Sequence, residues 1–198
     1  MKALLTACAV ALFVVAGATK ADELFFLDAG TQIKGDSTAQ GYENMIQVLS
    51  FNLGVKNSVT IGVGAGGGAG IGKASFQPIV VYKYTDIASP LLFLACTNGK
   101  AIPTVVLHAV KFVPNSEVPN YREYLTITLT KVIVSGINDN GPDQNNASQV
   151  AESVSLVCAT MKMTVKTFGS DGRVTKTVTD GWDFITNRQL PGSTAPPP

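Results

Sequence analysis

The chain predicts a mainly β domain, two sheets forming a barrel or sandwich with one α-helix on the flank. Three observations carry this expectation. Runs rich in Val, Ile, Thr and aromatic residues recur along the chain with turn residues between them, the pattern of half-buried strands. Only the stretch from Asp86 to Pro103 reads as a helix. The length of 198 residues with 45% hydrophobic content suits one domain with a full core, and two would be cramped. Many β runs with a single helix favour a barrel or a sandwich.

The opening residues stand apart from the fold. Lys2 is a short positive start, and Ala3 to Val15 is an apolar run too short to cross a bilayer. Ala16-Gly17-Ala18 and Thr19-Lys20-Ala21 each offer small residues for cleavage. This is the layout of a secretory signal peptide, so residues 1–21 are expected to be removed and the protein to be secreted or periplasmic, without stable membrane insertion. Residues 22–190 are then the domain, and the Pro-rich 191–198 is expected to be a disordered tail.

Within the domain, Leu24 to Leu27 reads as a first strand, followed by a turn at Lys34-Gly35-Asp36-Ser37. From Met45 to Val55 the odd positions Leu49, Phe51, Leu53 and Val55 alternate with Ser50, Asn52 and Gly54, which predicts one strand with its odd face inward. Gly62 to Gly72 is nearly all Gly and Ala and cannot pack a core, so it is expected to be an extended arm. Ala74 to Tyr84 returns to strand character, with Pro78 demanding an edge or a bulge. Thr104 to Phe112, Tyr124 to Val134 and Ser153 to Phe168 are three more strands. Asn138 to Gln149 is a polar loop, and Ser170-Asp171-Gly172 should turn the chain so that Val174 to Asp183 pairs back.

The helix has its start and stop in the sequence. Ser89 can cap the first turn, Pro90 suits the first helical position, and Gly99 can supply the left-handed residue that ends it. Leu91, Leu92, Phe93, Leu94, Ala95 and Cys96 leave almost no polar face, so both sides need cover. One cover is the protein's own sheet. The other is either a neighbouring subunit or more of the same core. Cys96 and Cys158 remain after signal removal and in an oxidising compartment can pair as a disulfide, or can stay buried as free thiols.

Other motifs resolve to bland readings. Gly62-Val63-Gly64-Ala65-Gly66-Gly67 fits a dinucleotide fingerprint, and Gly67 to Lys73 fits most of a P-loop, but a strand follows where phosphate binding needs a helix N-terminus. His108, the only histidine, has no second histidine and no Cys-x-x-Cys to share a metal, so it reads as structural. Asn138-Asp139-Asn140-Gly141 misses the ligand positions of a calcium loop. No nucleophile elbow exists, so no catalytic residue, metal or cofactor is expected. The net charge of +1 comes from scattered Lys and Arg, which sets nucleic acid aside.

Several blocks, taken in order, resemble the haemolysin-coregulated protein (Hcp) family, the tube proteins of type VI secretion. They are Ile33-Lys34-Gly35-Asp36-Ser37; Val48 to Val55; Gly72-Lys73; and Ser89-Pro90-Leu91-Leu92 through Ala95-Cys96, Gly99-Lys100 and Ile102-Pro103. Tyr124-Leu125-Thr126-Ile127, Glu152 to Leu156, and Gly181-Trp182-Asp183 with Asn187 complete the series. The resemblance implies a two-sheet barrel with a flanking helix, self-association into a hexameric ring, and rings stacked as a tube that carries effector proteins and meets other parts of the apparatus. It places the subunit interface on the glycine arm, at Gly62, Gly64, Gly66, Gly67, Gly68, Gly70, Gly72 and Lys73, and on the helix, at Leu92 and Phe93. The departure is the signal peptide, which members loaded from the cytoplasm do not need. It keeps open an alternative, a secreted or periplasmic binding module that uses the same fold outside a tube.

Overall fold

In a computed structural model, residues 23–61, 69–113, 120–143 and 146–194 are described. The expected signal peptide, residues 1–21, lies outside them, as do Gly62, Gly64, Gly66, Gly67 and Gly68 of the arm. In chain order the elements are β1 (Glu23–Asp28), β2 (Ile46–Val48), β3 (Ser50–Ile61), β4 (Ala69–Tyr84) and α1 (Ser89–Asn98), then β5 (Ile102–Val113), β6 (Asn120–Asp143), β7 (Asn146–Val157), β8 (Thr160–Phe168), β9 (Val174–Asp183) and β10 (Arg188–Gln189). The mainly β expectation with one short helix holds.

All strand pairs are antiparallel, and β6 belongs to three ladders, with β5, β7 and β8. One sheet runs β10-β9-β8-β6-β5-β1-β2, while β3, β4 and β7 form a second that joins the other end of β6. The hand-over comes at Lys131, whose φ of 49° is unusual for a side-chain-bearing residue. Before it β6 pairs with β8 up to Thr130, and after it with β7 from Ile133. Both sheets send side chains into one core, with Leu27, Leu107, Ile127 and Leu129 from the first meeting Ile79, Val81, Val154 and Leu156 from the second.

Two stretches expected as single strands are each broken where the chain passes between sheets. Met45 to Val55 bends at Leu49, and Ser153 to Phe168 breaks at Cys158-Ala159. In both, the inward face changes parity across the break. Ile46 and Val48 are buried but Phe51 and Leu53 carry on inward, and Val154 and Leu156 give way to Ala159, Met161 and Met163. A one-residue slip exchanges faces because the side-chain period of a strand is two. Leu49, expected inward, sits in the bend and is 41% exposed, while Val55, of the same parity as Phe51 and Leu53 but opposite Phe76 where β4 has no β7 partner, is 48% exposed.

At Leu49 the connection is covalent. Its N–H donates to the Tyr82 carbonyl at 2.7 Å, but no ladder joins β2 to β4. The sheet is therefore not closed, so the expectation of a two-sheet barrel or sandwich is met in its mainly β character and not in barrel closure.

Other differences are local. The polar loop expected from Asn138 to Gln149 is largely strand, since β6 runs to Asp143 and Asn138 and Asp139 pair with Ser153 and Glu152. A paired neighbour outweighs weak intrinsic strand preference. The glycine arm is shorter than expected, because Ala69, Gly70 and Ile71 pair with Ile61, Thr60 and Val59. Pro78 falls in a register shift of the β3–β4 ladder, as a residue without an N–H donor requires. The hairpin at Ser170-Asp171-Gly172 forms as expected, with Gly172 at φ 77°. Gly35 allows a close crossing, since a Cβ there would lie 2.4 Å from the Met45 carbonyl oxygen.

Candidate functional site

The candidate site is the outward face of α1, and it is held in place from beneath. Ser89 is not the cap the sequence suggested. Ala88 occupies the N-cap with no side-chain capping bond, and Ser89 is the first helical residue. Its hydroxyl serves a buried charge cluster instead, donating to Glu152 Oε1 at 2.7 Å and accepting from the Asp86 N–H at 3.0 Å. Pro90, expected at the first helical position, is the second residue of the first turn, and Gly99 ends the helix at φ 64°.

At the centre of the cluster is Lys83, with no exposed side-chain surface. Its ammonium donates to Glu152 Oε1 at 2.5 Å, Asp86 Oδ1 at 2.8 Å, Ser89 Oγ at 3.0 Å and the Tyr84 carbonyl at 2.7 Å. Asp86 Oδ1 also accepts from the Ala88 N–H at 2.9 Å. The cluster therefore ties β4 and β7 to the first turn of α1. Sequence reasoning missed it, although the signal was present. The inward parity of β4 that places Ile79 and Val81 also places Lys83, and the parity of β7 that buries Val154 and Leu156 also buries Glu152.

With its start fixed and its body packed on β6, the helix sorts its apolar residues by angle. Ala88, Leu92 and Ala95 are buried, while Leu91, Phe93 and Leu94 are 40%, 62% and 55% exposed. Ile87, just before the helix, is 62% exposed. Leu92 and Phe93, both assigned to the helix interface by the resemblance, face different ways, as a turn of about 100° per residue requires. Leu92 belongs to the core and only Phe93 to the surface. The first turn has no acidic residue and the last turn no basic one. An exposed apolar patch of this kind marks a contact surface more often than a solvated face.

The rest of the expected interface is partly in view. Gly70 lies in the β3–β4 ladder, while Gly72 and Lys73 sit at its register shift between Asn57 and Val59. β4 pairs with β7 only from Ile79, so its earlier residues have β3 as their one paired strand among the described residues.

Cys96 and Cys158 are both free thiols packed against the same core, so the bridge offered by the sequence is not formed here. Burial pushes the Cys158 thiol up to about 12. His108 has the structural role expected of it. Its Nδ1 lies 2.6 Å from Glu123 Oε2, and Glu123 Oε1 also accepts from Thr126 Oγ1 at 2.7 Å and Lys166 Nζ at 3.0 Å. The His108 hydrogen bond, more than those from Thr126 and Lys166, holds the Glu123 carboxyl down to about 2 against the opposing effect of burial. Among the described residues no cluster of three or more Asp, Glu, His or Cys could hold a metal, and no helix is long and apolar enough to cross a membrane.

Comparison with known proteins connects this chain to a family. A protein named hcp1 from Pseudomonas aeruginosa is 32% identical over 118 residues, spanning 59% of this chain and 69% of its own length. A second protein of that organism, named major exported protein, is 29% identical over 116 residues, covering 57% of this chain and 63% of its own. Among solved structures, Hcp1 from Salmonella typhimurium superposes with a TM-score of 0.64 at 28% identity, covering 86% of this chain and all of the other. A structure described as a type six secretion system protein reaches a TM-score of 0.74 over 85% of this chain, and at 22% identity it speaks for the fold alone. The family model described as "Type VI secretion system effector, Hcp" matches residues 26–165, and the chain belongs to that family.

Proposed function

We propose that the chain is a non-enzymatic structural subunit of a type VI secretion system, one that self-associates into a hexameric ring and stacks into a tube able to carry effectors. One observation carries this reading most directly. The helix buries Leu92 in its own core while presenting Phe93, Leu94 and Leu91 outward, so its second cover must come from elsewhere. Seating one aromatic side chain in a subunit contact contributes roughly 2 kcal/mol, and a closed ring repeats that contact at every interface. The β3–β4 ribbon would supply a further contact with an adjoining subunit or ring, and the two open-edged sheets would serve as the tube wall.

The test compares Phe93→Glu with Leu92→Glu by light scattering and circular dichroism. Phe93→Glu should give a folded monomer, because the charge is solvated in the free subunit but desolvated on docking. Leu92→Glu should unfold the domain. A wild-type protein that stays monomeric at high concentration would overturn the ring. It would favour a second reading supported by the apolar run from Ala3 to Val15, an exported binding module with the same fold.

A further inference from the structure

Apart from the outward face of α1, the molecule has a polar cavity of about 280 Å³ where the end of β4 meets the turn after β1 and the bend at Leu49. Asp36, Gln47, Leu49, Tyr84, Thr85 and Asp86 line it, and among the described residues on its walls none is basic. Asp36, Gln47, Leu49 and Thr85 are exposed, so the cavity opens to solvent. Asp86 is its buried member, with a side chain only 7% exposed.

The two oxygens of Asp86 are used unequally. Oδ1 accepts from Lys83 and from the Ala88 N–H, whereas Oδ2 is buried and has no hydrogen-bond partner among the described residues. The charges do not balance either. Among the described residues, Lys83 is the one cation within ion-pair distance of Asp86 and of Glu152. The side chains of Lys83, Asp86 and Glu152 are 0%, 7% and 3% exposed, so the cluster buries two carboxylates against one ammonium. A buried charge is costly unless it is paired. A hydrogen bond from water would satisfy the oxygen but not the charge, and a cationic donor placed in the cavity satisfies both.

We propose that this cavity binds an arginine side chain of a partner polypeptide, with the guanidinium donating to Asp86 Oδ2 and to the Asp36 carboxylate. The lining fits each part of that ligand. A guanidinium carries several N–H donors in a planar fork and no acceptor. The cavity answers with acceptors, two carboxylates and the amide oxygen of Gln47. Thr85 adds one more, because its hydroxyl proton is donated to the Val150 carbonyl at 3.2 Å and its oxygen is left to accept. Leu49, 41% exposed, offers apolar surface to the aliphatic stem, and Tyr84 puts an aromatic residue in the same wall. A bare metal ion fits less well. Calcium takes about six to eight oxygen ligands, and among the described residues no group of three or more Asp, Glu, His or Cys is placed to hold a metal. The site is separate from the apolar face of α1 and does not rest on the ring proposed through it.

Calorimetric titration of the full chain with N-acetylarginine amide, and with its neutral isostere N-acetylcitrulline amide, tests the assignment. The arginine compound should bind once per chain and at least about tenfold more tightly than the citrulline compound, since only the first brings a charge-assisted donor. Asp36→Asn, an exposed change outside the Lys83 cluster, should weaken it by about fivefold or more. Asp86→Asn should weaken it further, in protein whose circular dichroism is unchanged. Asp171→Asn, on the β8–β9 hairpin, should leave the affinity as it was. No saturable binding, equal affinity for the two compounds, full affinity in Asp36→Asn, or an equal loss in Asp171→Asn would each overturn the proposal. So would calcium chloride that displaces the arginine compound and itself binds less well to Asp36→Asn, because the site would then belong to a metal.

Discussion

Replacing Lys83 with Met tests the pin beneath the helix. The substitution keeps the length of the aliphatic stem and removes an ammonium whose three N–H groups are shared among four acceptors, two of them carboxylates. Glu152 and Asp86, only 3% and 7% exposed, are then left as neighbouring like charges without a cation. Removing one partner of a buried ion pair costs about 3–5 kcal/mol, a large part of a total that is usually about 5–15 kcal/mol. With a urea dependence of about 2 kcal/mol per molar, the unfolding midpoint should fall by roughly 2 M. Circular dichroism across a urea titration reads this directly. The double variant Lys83→Met with Glu152→Leu should recover most of the loss, because a buried pair exchanged for apolar groups is often neutral or better. A single variant that loses less than about 0.5 M, or a double variant no more stable than the single, would refute the view that the cluster acts as a charge-paired unit.

The Glu123 carboxyl is held down to about 2 in the folded protein, chiefly by its hydrogen bond with His108. A lowered carboxylate stabilises the fold above its unfolded value and loses that contribution as pH falls. Stability should therefore decline from about pH 4.5 toward pH 2 by on the order of 2 kcal/mol after screening at a half-buried site, and Glu123→Gln should flatten that part of a thermal-melt profile. The Cys158 thiol, raised to about 12 by burial, should resist alkylation in the native state at pH 8 and react on unfolding, which mass spectrometry after iodoacetamide will show. Rapid native modification would place it at the surface.

The sequence by itself determined the identity of most elements. Strand periodicity marked the runs at Leu24 to Leu27, Ala74 to Tyr84 and Thr104 to Phe112, and the Ser170-Asp171-Gly172 turn set its hairpin, because these depend on local sterics and on a period of two. The helix was legible through Pro90 and Gly99, which act on their own backbone. So was the shortage of polar residues on that helix, the basis of the candidate site.

What only the tertiary structure decided was which faces meet. The bend at Leu49, the break at Cys158-Ala159 and the positive φ at Lys131 all fall where the chain passes from one sheet to the other. The change of inward parity at the first two depends on which partner strand lies alongside, something no local window contains. Ser89 has the right identity for a cap, yet its hydroxyl is taken by Lys83 and Glu152, and Glu152 lies 63 positions away in the chain. A long-range pair of buried charges outweighs a local capping bond because an unpaired charge in the core costs several kcal/mol and a lost cap about one. The division of the helix into Leu92 within and Phe93 without likewise awaited β6, the surface against which α1 packs.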